Sequence, residues 1–136
     1  MKKKLILICA LLLSLSFVQA QTSIPHSVLD NFKQSHSSAD FMTWSNEGAN
    51  FRVHYFDSEK IEHVKVYDAN GDLIRHEYEL KSDQIPTAIS TRMAKKNNNL
   101  GSVKIWGVEN SEKKVSYFST DGSTVVRYNS SGELVK

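Results

Sequence analysis

The sequence predicts an α+β fold in which two tandem α-β-β-β-β repeats form one antiparallel sheet of about eight strands, with the helices packed on one face. Two Ile-Pro pairs, 61 residues apart, open short helical segments. Stretches that alternate apolar and polar residues follow each pair. Four short patterns recur in the same order at offsets of 61 or 62 residues: Ile24-Pro25 and Ile85-Pro86, Phe41–Trp44 and Val103–Trp106, Val53–Phe56 and Val115–Phe118, Tyr67–Leu73 and Tyr128–Leu134.

Residues 1–20 have the features of a signal peptide rather than of a folded segment. Three lysines at residues 2–4 precede an apolar stretch over residues 5–13, and Val-Gln-Ala at residues 18–20 resembles a cleavage site. We therefore expect a mature chain that begins near Gln21 and is periplasmic or secreted.

Removal of this signal changes the charge of the chain. The sequence has 17 Lys and Arg against 15 Asp and Glu, and three of the lysines belong to the signal, so the mature chain has a slight negative net charge. Such a chain has no excess of cations for binding nucleic acid.

The single cysteine, Cys9, also lies in the signal, so no disulfide or cysteine-ligated metal is expected. No second apolar run is long enough to span a membrane.

Residues 21–136 are expected to form a single domain made of two repeats, about 21–81 and 82–136, since either repeat alone would bury only a marginal core. Each repeat begins with a helix. Pro25 and Pro86 fit the first turn of these helices, where the missing N–H of proline costs nothing. Both helices are short, so each should be stable only when it packs on the sheet.

The remaining segments are predicted to be strands joined by tight turns. Hairpins are expected at residues 57–60, 68–71 and 121–122 because these segments carry turn-forming residues. The expected strands are about 40–46, 49–57, 60–67, 72–80, 102–109, 113–120 and 123–129, with a stub at 133–136.

Matching of apolar residues across the hairpins predicts their register. A register that sets Val53 opposite Val64 makes one face of the second and third strands apolar. A two-residue loop at residues 121–122 sets Tyr117 opposite Val126.

The hairpin around Gly71 has two possible registers. A three-residue loop with Gly71 in the left-handed conformation sets Val66 opposite Ile74, whereas a two-residue loop sets Val66 opposite Arg75. The second register turns apolar side chains away from the core, so the three-residue loop is predicted.

These registers sort the strand residues into two faces. The face expected beneath the helices carries Phe51, Val53, Tyr55, Val64, Val66, Ile74, Tyr78, Val115, Tyr117, Val126 and Tyr128, with His76 as a polar exception. The opposite face is expected to meet solvent or a partner and carries Arg52, His54, Phe56, Ile61, His63, Lys65, Tyr67, Leu73, Arg75, Glu77, Lys114, Phe118 and Arg127. Trp44 and Trp106 are also expected on this second face.

With these motifs the chain resembles the PepSY-like domain of secreted bacterial proteins, which shares the fold of the beta-lactamase inhibitor protein. The motifs are the Ile-Pro helix start, the Trp that closes the first strand, the Val-x-Tyr-Phe strand and the Tyr-Asp-x-x-Gly-x-Leu turn, and the resemblance covers residues 21–136. It implies a concave sheet surface used for binding, with inhibition of a hydrolase as one use. No residues match the contact set of that inhibitor, so no beta-lactamase target is implied.

The uncovered aromatic and cationic face predicts a docking surface for a protein or peptide in the periplasm or outside the cell. Cross-strand stacking that only stabilises the sheet is the alternative explanation of its aromatic residues. The residues predicted to bind the partner are Trp44, Arg52, His54, Phe56, Tyr67, Trp106 and Phe118.

A second hypothesis is a sensor for a metal or small molecule. The predicted register sets His54 opposite His63 and His63 opposite Glu77, and two imidazoles with one carboxylate form a ligand set that zinc or ferrous iron accepts. The alternative is that polar residues simply populate a solvent-facing sheet. No cofactor is otherwise predicted.

The sequence has no Gly-x-Ser-x-Gly, His-Glu-x-x-His or phosphate-binding glycine loop, which predicts that the protein is not an enzyme.

Overall fold

The computed structural model describes residues 23–37, 39–96 and 102–136. The predicted signal peptide and its cleavage site lie outside these residues. No helix in the described ranges is long and apolar enough to cross a membrane.

Two helices and seven strands make up the described fold, which is α+β as predicted. The seven strands form a single sheet in the order β1-β2-β3-β4-β5-β6-β7, and every neighbouring pair is antiparallel. The elements are α1 His26–Ser35, β1 Asp40–Glu47, β2 Asn50–Phe56, β3 Glu62–Tyr67, β4 Leu73–Glu79, a 3₁₀ turn Ser82–Gln84, α2 Thr87–Lys95, β5 Lys104–Asn110, β6 Val115–Thr120 and β7 Val125–Tyr128.

The predicted eighth strand is not part of this sheet. Its segment contributes one bridge, between Leu134 and Tyr128, and one hydrogen bond from the Val135 N–H to the Arg127 carbonyl oxygen at 3.0 Å. These contacts hold the segment beside β7 but are too few to form a strand.

The helix α1 begins directly after Pro25, which has no N–H to donate but whose carbonyl oxygen accepts a hydrogen bond. The Pro25 carbonyl oxygen accepts the Val28 N–H at 3.1 Å, and the buried side chains of Val28 and Phe32 lie one turn apart on the same stripe. Full burial of such a side chain stabilises the fold by about 1.5–3 kcal/mol. The buried sheet residues packed with α1 are Val53, Tyr55 and Tyr67.

The helix α2 repeats this arrangement over the other end of the sheet. The Pro86 carbonyl oxygen accepts the Ile89 N–H at 2.9 Å, and Ile89 and Met93 are buried. The buried sheet residues packed with α2 are Ile105 and Tyr128. Both helices therefore cover the same face, which we call the helix face.

The register of β2 and β3 differs by one residue from the prediction. Val53 lies opposite Lys65 rather than opposite Val64. The cause is the loop: Lys60 adopts a left-handed φ of 63°, and its N–H bonds to the Asp57 carbonyl oxygen at 3.0 Å. The loop is therefore one residue longer than the predicted register requires, and the shift turns every β3 side chain to the other face.

The prediction for the hairpin between β3 and β4 is correct at the turn but wrong for the strand pairing beyond the turn. Gly71 has the predicted left-handed conformation, with φ 93°. A β-bulge follows directly, and beyond it Val66 lies opposite Arg75. The predicted pair of Val66 and Ile74 is therefore wrong, because the bulge inserts one extra residue into β4.

The register of β6 and β7 differs by two residues from the prediction. Tyr117 lies opposite Tyr128 rather than opposite Val126, because the connection spans residues 121–124 instead of two residues. Asp121 stabilises this longer loop, since its Oδ1 accepts the Thr124 N–H at 2.8 Å. A shift of two residues leaves each side chain on its predicted face.

These registers define the second face of the sheet, which we call the open face. Compared with the prediction, Val64 and Val66 have moved onto it, and His63, Lys65 and Tyr67 have moved to the helix face. The strand residues of the open face include Arg52, His54, Phe56, Glu62, Val64, Val66, Arg75, Glu77, Trp106, Val108, Ser116, Phe118 and Arg127.

Candidate functional site

Two of the seven residues predicted to bind a partner lie in the core beneath α1. Tyr67 is 1% exposed and packs with the buried residues of α1. Trp44 lies on the helix face, where its ring meets the Phe32 ring edge-on at a centroid distance of 5.5 Å. The predicted position of these two side chains on the uncovered face is therefore wrong. The other five, Arg52, His54, Phe56, Trp106 and Phe118, lie on the open face.

The two tryptophans lie on opposite faces although their sequence patterns match. Trp44 lies opposite Val53, and Trp106 lies opposite Phe118. Two residues connect β1 to β2, whereas four residues, 111–114, connect β5 to β6. Val115 corresponds to Val53 in the repeated pattern, so Trp106 pairs with a residue three positions beyond the expected one. A register shift by an odd number of residues exchanges the faces, so a similar pattern in sequence does not give the same position in the sheet.

Trp106 belongs to a small apolar cluster on the open face itself. Its indole ring stacks on the Phe118 ring at a centroid distance of 5.8 Å and an interplanar angle of 5°. Val64 and Val66 complete the cluster, and Trp106 is only 6% exposed. The indole Nε1 is buried, and no described residue forms a hydrogen bond with it. The sheet is thus apolar at the centre of both faces.

A groove of about 820 Å³ lies beside this cluster on the open face. Phe118 and Val108 contribute apolar surface to it, and Arg75, Glu77 and Arg127 contribute charge. The described residues that line it are Glu47, Arg75, Glu77, Val108, Lys114, Val115, Ser116, Tyr117, Phe118, Arg127, Tyr128, Asn129, Ser130 and Val135.

One side of the groove is held by a fork of ion pairs. The Arg75 Nε donates to Glu77 Oε1 at 2.7 Å, and its Nη2 donates to Glu47 at 2.9 and 3.0 Å. Glu47 lies on β1 and Arg75 on β4, so the pair spans the two strands between them. The charge of Arg75 is neutralised by its two partners.

Arg127 differs from Arg75 in having no such partner. It lies on β7 directly opposite Phe118, is exposed, and lines the groove. Its guanidinium makes no ion pair or hydrogen bond with the residues of the described ranges. The groove therefore places an unneutralised cation beside an aromatic ring.

Glu62 anchors a second ion cluster at the other end of the open face. Its Oε1 lies 2.6 Å from His54 Nε2, and its Oε2 accepts a hydrogen bond from Lys104 Nζ at 2.6 Å. Burial raises the pKa of Glu62, but the hydrogen bonds from Lys104 and His54 outweigh burial and lower it overall. His54, predicted to bind a partner or a metal, is thus engaged with a carboxylate of its own sheet.

The predicted metal row of His54, His63 and Glu77 does not form. His54 lies opposite Val64 on the open face, whereas His63 lies opposite Tyr55 on the helix face. The one-residue shift of β3 separates them. Among the residues the structure describes, no group of three or more His, Cys, Asp or Glu side chains is placed to hold a metal ion.

His63 instead joins a histidine cluster on the helix face that the sequence did not predict. Its Nε2 lies 3.0 Å from Asp57 Oδ2, its Nδ1 lies 3.0 Å from His76 Nε2, and its ring stacks on Tyr55. The placement of His76 on an otherwise apolar face was the one sequence signal for this cluster.

Lys65 and His36 extend the histidine cluster towards α1. Lys65 Nζ lies 3.2 Å from His36 Nε2, and the His36 Nδ1 lies 3.2 Å from the Phe32 carbonyl oxygen. Burial and the Lys65 cation lower the pKa of His36. Burial, followed by Lys65 and His63, lowers the pKa of His76 to about 4. The cluster disfavours further positive charge.

Comparison with known proteins identifies the fold. No protein-family model matches the chain, and no curated protein matches its sequence. Among solved structures, a protein from Bacteroides eggerthii assigned to the periplasm is similar, with a TM-score of 0.70 and 16% identity over 84% of this chain and 87% of that one. A BLIP-like protein from Bacteroides fragilis gives a TM-score of 0.63 and 20% identity over 86% of each chain.

A third similar structure is a DUF2874 family protein from Bacteroides ovatus, with a TM-score of 0.65 and 14% identity over 85% of this chain and 87% of that one. Identities this low show a shared fold and nothing finer. The chain therefore has a BLIP-like fold, as its resemblance to the inhibitor protein implied.

Proposed function

We propose that this chain is an exported, non-catalytic binding module that docks an extended segment of another protein in the open-face groove. The observation that carries the proposal is the unneutralised guanidinium of Arg127 beside the Phe118 ring. Arginine and aromatic side chains are enriched at protein interfaces and among the residues that dominate binding energy.

The partner segment we propose is acidic and apolar. A carboxylate of the partner would pair with Arg127, for which the described residues offer no carboxylate. An apolar side chain of the partner would pack on Phe118 and Val108. A volume of about 820 Å³ suits a segment of a few residues rather than a whole domain face.

The ion pairs of Arg75 give this groove a wall that is already in place before binding. The Arg75 guanidinium forms ion pairs with both Glu47 and Glu77. A preorganised wall lowers the entropy cost of binding. Arg75 therefore shapes the groove in this proposal, while Arg127 selects the charge of the partner.

We also propose that the chain is a duplicated, PepSY-like unit. Gly71 and Gly132 occupy matching positions relative to the helices: a Cβ added at Gly71 would lie 2.8 Å from the Ser27 carbonyl oxygen, and one added at Gly132 would lie 3.1 Å from the Ala88 Cβ. Both φ angles are positive, at 93° and 79°. The two contacts, each between a turn and the start of a helix, lie 61 residues apart and support a duplication.

Selection from a phage-displayed library of random linear peptides tests the docking proposal. The wild type should enrich peptides that combine an acidic residue with an apolar one. Calorimetry with an enriched peptide should show binding about tenfold weaker for Arg127→Gln, the factor that about 1.4 kcal/mol represents.

The matched control is Lys33→Gln, which removes one exposed cation from α1 and should leave the affinity unchanged. Failure to enrich any peptide above background contradicts the proposal. Equal affinity of wild type and Arg127→Gln for the enriched peptide also contradicts it.

A further inference from the structure

A second cavity, of about 130 Å³, lies between the last turn of α2 and the β6–β7 hairpin. It opens on the helix side of the sheet and shares only Tyr128 with the open-face groove. Its lining is Arg92, Met93, Lys96, Val103, Ser119, Thr120, Asp121, Thr124, Val126, Tyr128 and Leu134.

Arg92 brings an unsatisfied donor to this cavity. Its Nε is buried and has no hydrogen-bond partner among the residues that the structure describes. A buried donor without an acceptor is unfavourable, and a long arginine side chain normally avoids it by extending into water. Arg92 itself lines the cavity.

A pair of hydroxyl groups adds a second unused donor. Ser119 Oγ and Tyr128 Oη lie 3.2 Å apart, and the two residues are 5% and 3% exposed. Two hydroxyls carry two protons, and the bond between them uses only one. The other proton has no acceptor among the described residues.

The charges around the cavity also favour an anion. Among the described lining residues, Arg92 and Lys96 supply two cations and Asp121 is the one carboxylate. Asp121 is turned into its own loop, where Oδ1 accepts hydrogen bonds from the N–H groups of Ser123 and Thr124. No hydrogen bond among the described residues joins Asp121 to Arg92, Ser119 or Tyr128, so Asp121 does not occupy these donors.

We propose that this cavity binds a small carboxylate with a short alkyl chain. The planar guanidinium of Arg92 matches the two oxygens of a carboxylate, and the free hydroxyl proton supplies a third hydrogen bond. The apolar walls, which include Met93 and Val126, suit the alkyl chain. A volume of about 130 Å³ suits a ligand of this small size.

NMR titration with sodium propionate tests this site through the Arg92 Nε–H resonance of the wild-type protein. The resonance should shift saturably with propionate and should not shift with sodium chloride at equal ionic strength. A shift no larger than that produced by chloride overturns the proposal. Tighter binding of inorganic phosphate than of propionate overturns the assignment to a carboxylate.

Variants separate a ligand site from a structural role. Arg92→Met should abolish the rise in Tm that propionate produces, because bound ligand stabilises only the folded state. Lys95→Met removes a cation from the same helix outside this cavity and should retain the rise. Ser119→Ala should bind propionate about tenfold more weakly, the factor that one hydrogen bond to a charged group represents. An equal rise in Tm for wild type and Arg92→Met contradicts the proposal, and the wild-type titration stands as a test if either variant fails to fold.

Discussion

His63 and His76 share one hydrogen bond across β3 and β4, with His63 Nδ1 3.0 Å from His76 Nε2. One of these nitrogens must donate and the other accept, so the two rings cannot both be protonated while the contact exists. His63 Nε2 lies 3.0 Å from the Asp57 carboxylate and donates to it. A neutral His63 therefore accepts at Nδ1, and His76 donates to it from Nε2.

This arrangement predicts that the protein loses stability as the pH falls from about 6.5 to about 4. The pKa of His76 is about 4 in the folded state against an ordinary value of 6.5, so the unfolded chain binds its proton first and unfolding is favoured below 6.5. The stabilisation from neutral His76 is complete above that value and absent below about 4. The groups that face His76 are Lys65 and His63 on β3, Glu109 on β5 and His36 after α1.

Urea unfolding at several pH values between 7 and 4 measures this loss. The variant His76→Gln, which carries no titrating ring, should lose less stability over the same range, although His36 still contributes. Identical slopes for wild type and variant would show that His76 does not titrate in the folded state as argued.

Replacement of Gly71 by alanine should destabilise the protein by more than replacement of Gly122. The two glycines have nearly the same φ, 93° and 94°, but a Cβ at Gly71 would lie 2.8 Å from the Ser27 carbonyl oxygen and one at Gly122 would meet nothing within 4 Å. Both variants should lose about 1 kcal/mol from the left-handed conformation. Urea midpoints that are equal for the two variants would show that the turn and α1 are not in firm contact.

Removal of the Phe118 ring should expose Trp106 to solvent. In a Trp44→Phe background Trp106 is the single tryptophan, and its 6% exposure predicts emission at short wavelength. Phe118→Ala should shift the emission to longer wavelength, increase quenching by acrylamide, and cost about 1–3 kcal/mol of stability, since Phe118 is only partly buried. Phe118→Leu retains an apolar cover and should show a smaller shift. Unchanged emission in Phe118→Ala would rule out the stacking.

Removal of the Asp57 carboxylate should cost more stability than removal of the Asp68 carboxylate. Each side chain accepts two N–H groups of its own loop, those of Glu59 and Ile61 for Asp57. Asp57 also accepts from His63, and the pKa of Asp57 is lowered by these bonds despite the opposing effect of burial.

Asp57→Ala and Asp68→Ala should each lose about 1–2 kcal/mol from the loop, and Asp57→Ala should lose more because of His63. Chemical denaturation at pH 7 measures both. Asp57→Asn keeps the loop acceptor and should lose less than Asp57→Ala. Equal losses for Asp57→Ala and Asp68→Ala would show that the contact with His63 contributes nothing.

The elements of the fold follow from local chemistry and were predictable for that reason. Pro25 and Pro86 mark the helix starts because proline lacks the N–H that a helix interior needs. Gly71 marks a left-handed turn because it has no Cβ. The alternation of β2 and β6 placed Arg52, His54, Phe56 and Phe118 on the correct face, since side-chain direction alternates along any strand whatever its partner.

The pairing of the strands was decided only in the folded molecule. Lys60 takes a left-handed conformation that its residue type does not predict, and no residue type in β4 predicts the bulge there. Each displaces a strand by one residue relative to its neighbour, and a register shift of one residue moves every side chain of that strand to the opposite face. The predicted registers assumed that only the face beneath the helices is apolar. Val64 and Val66 are instead buried with Trp106 on the open face. The sequence alone determined which segments become helices and strands, because those preferences are local. The tertiary structure decided which side chains meet. It separated the residues of the predicted metal row, buried Tyr67 and left Arg127 without a partner among the described residues, because register depends on contacts between residues distant in the chain.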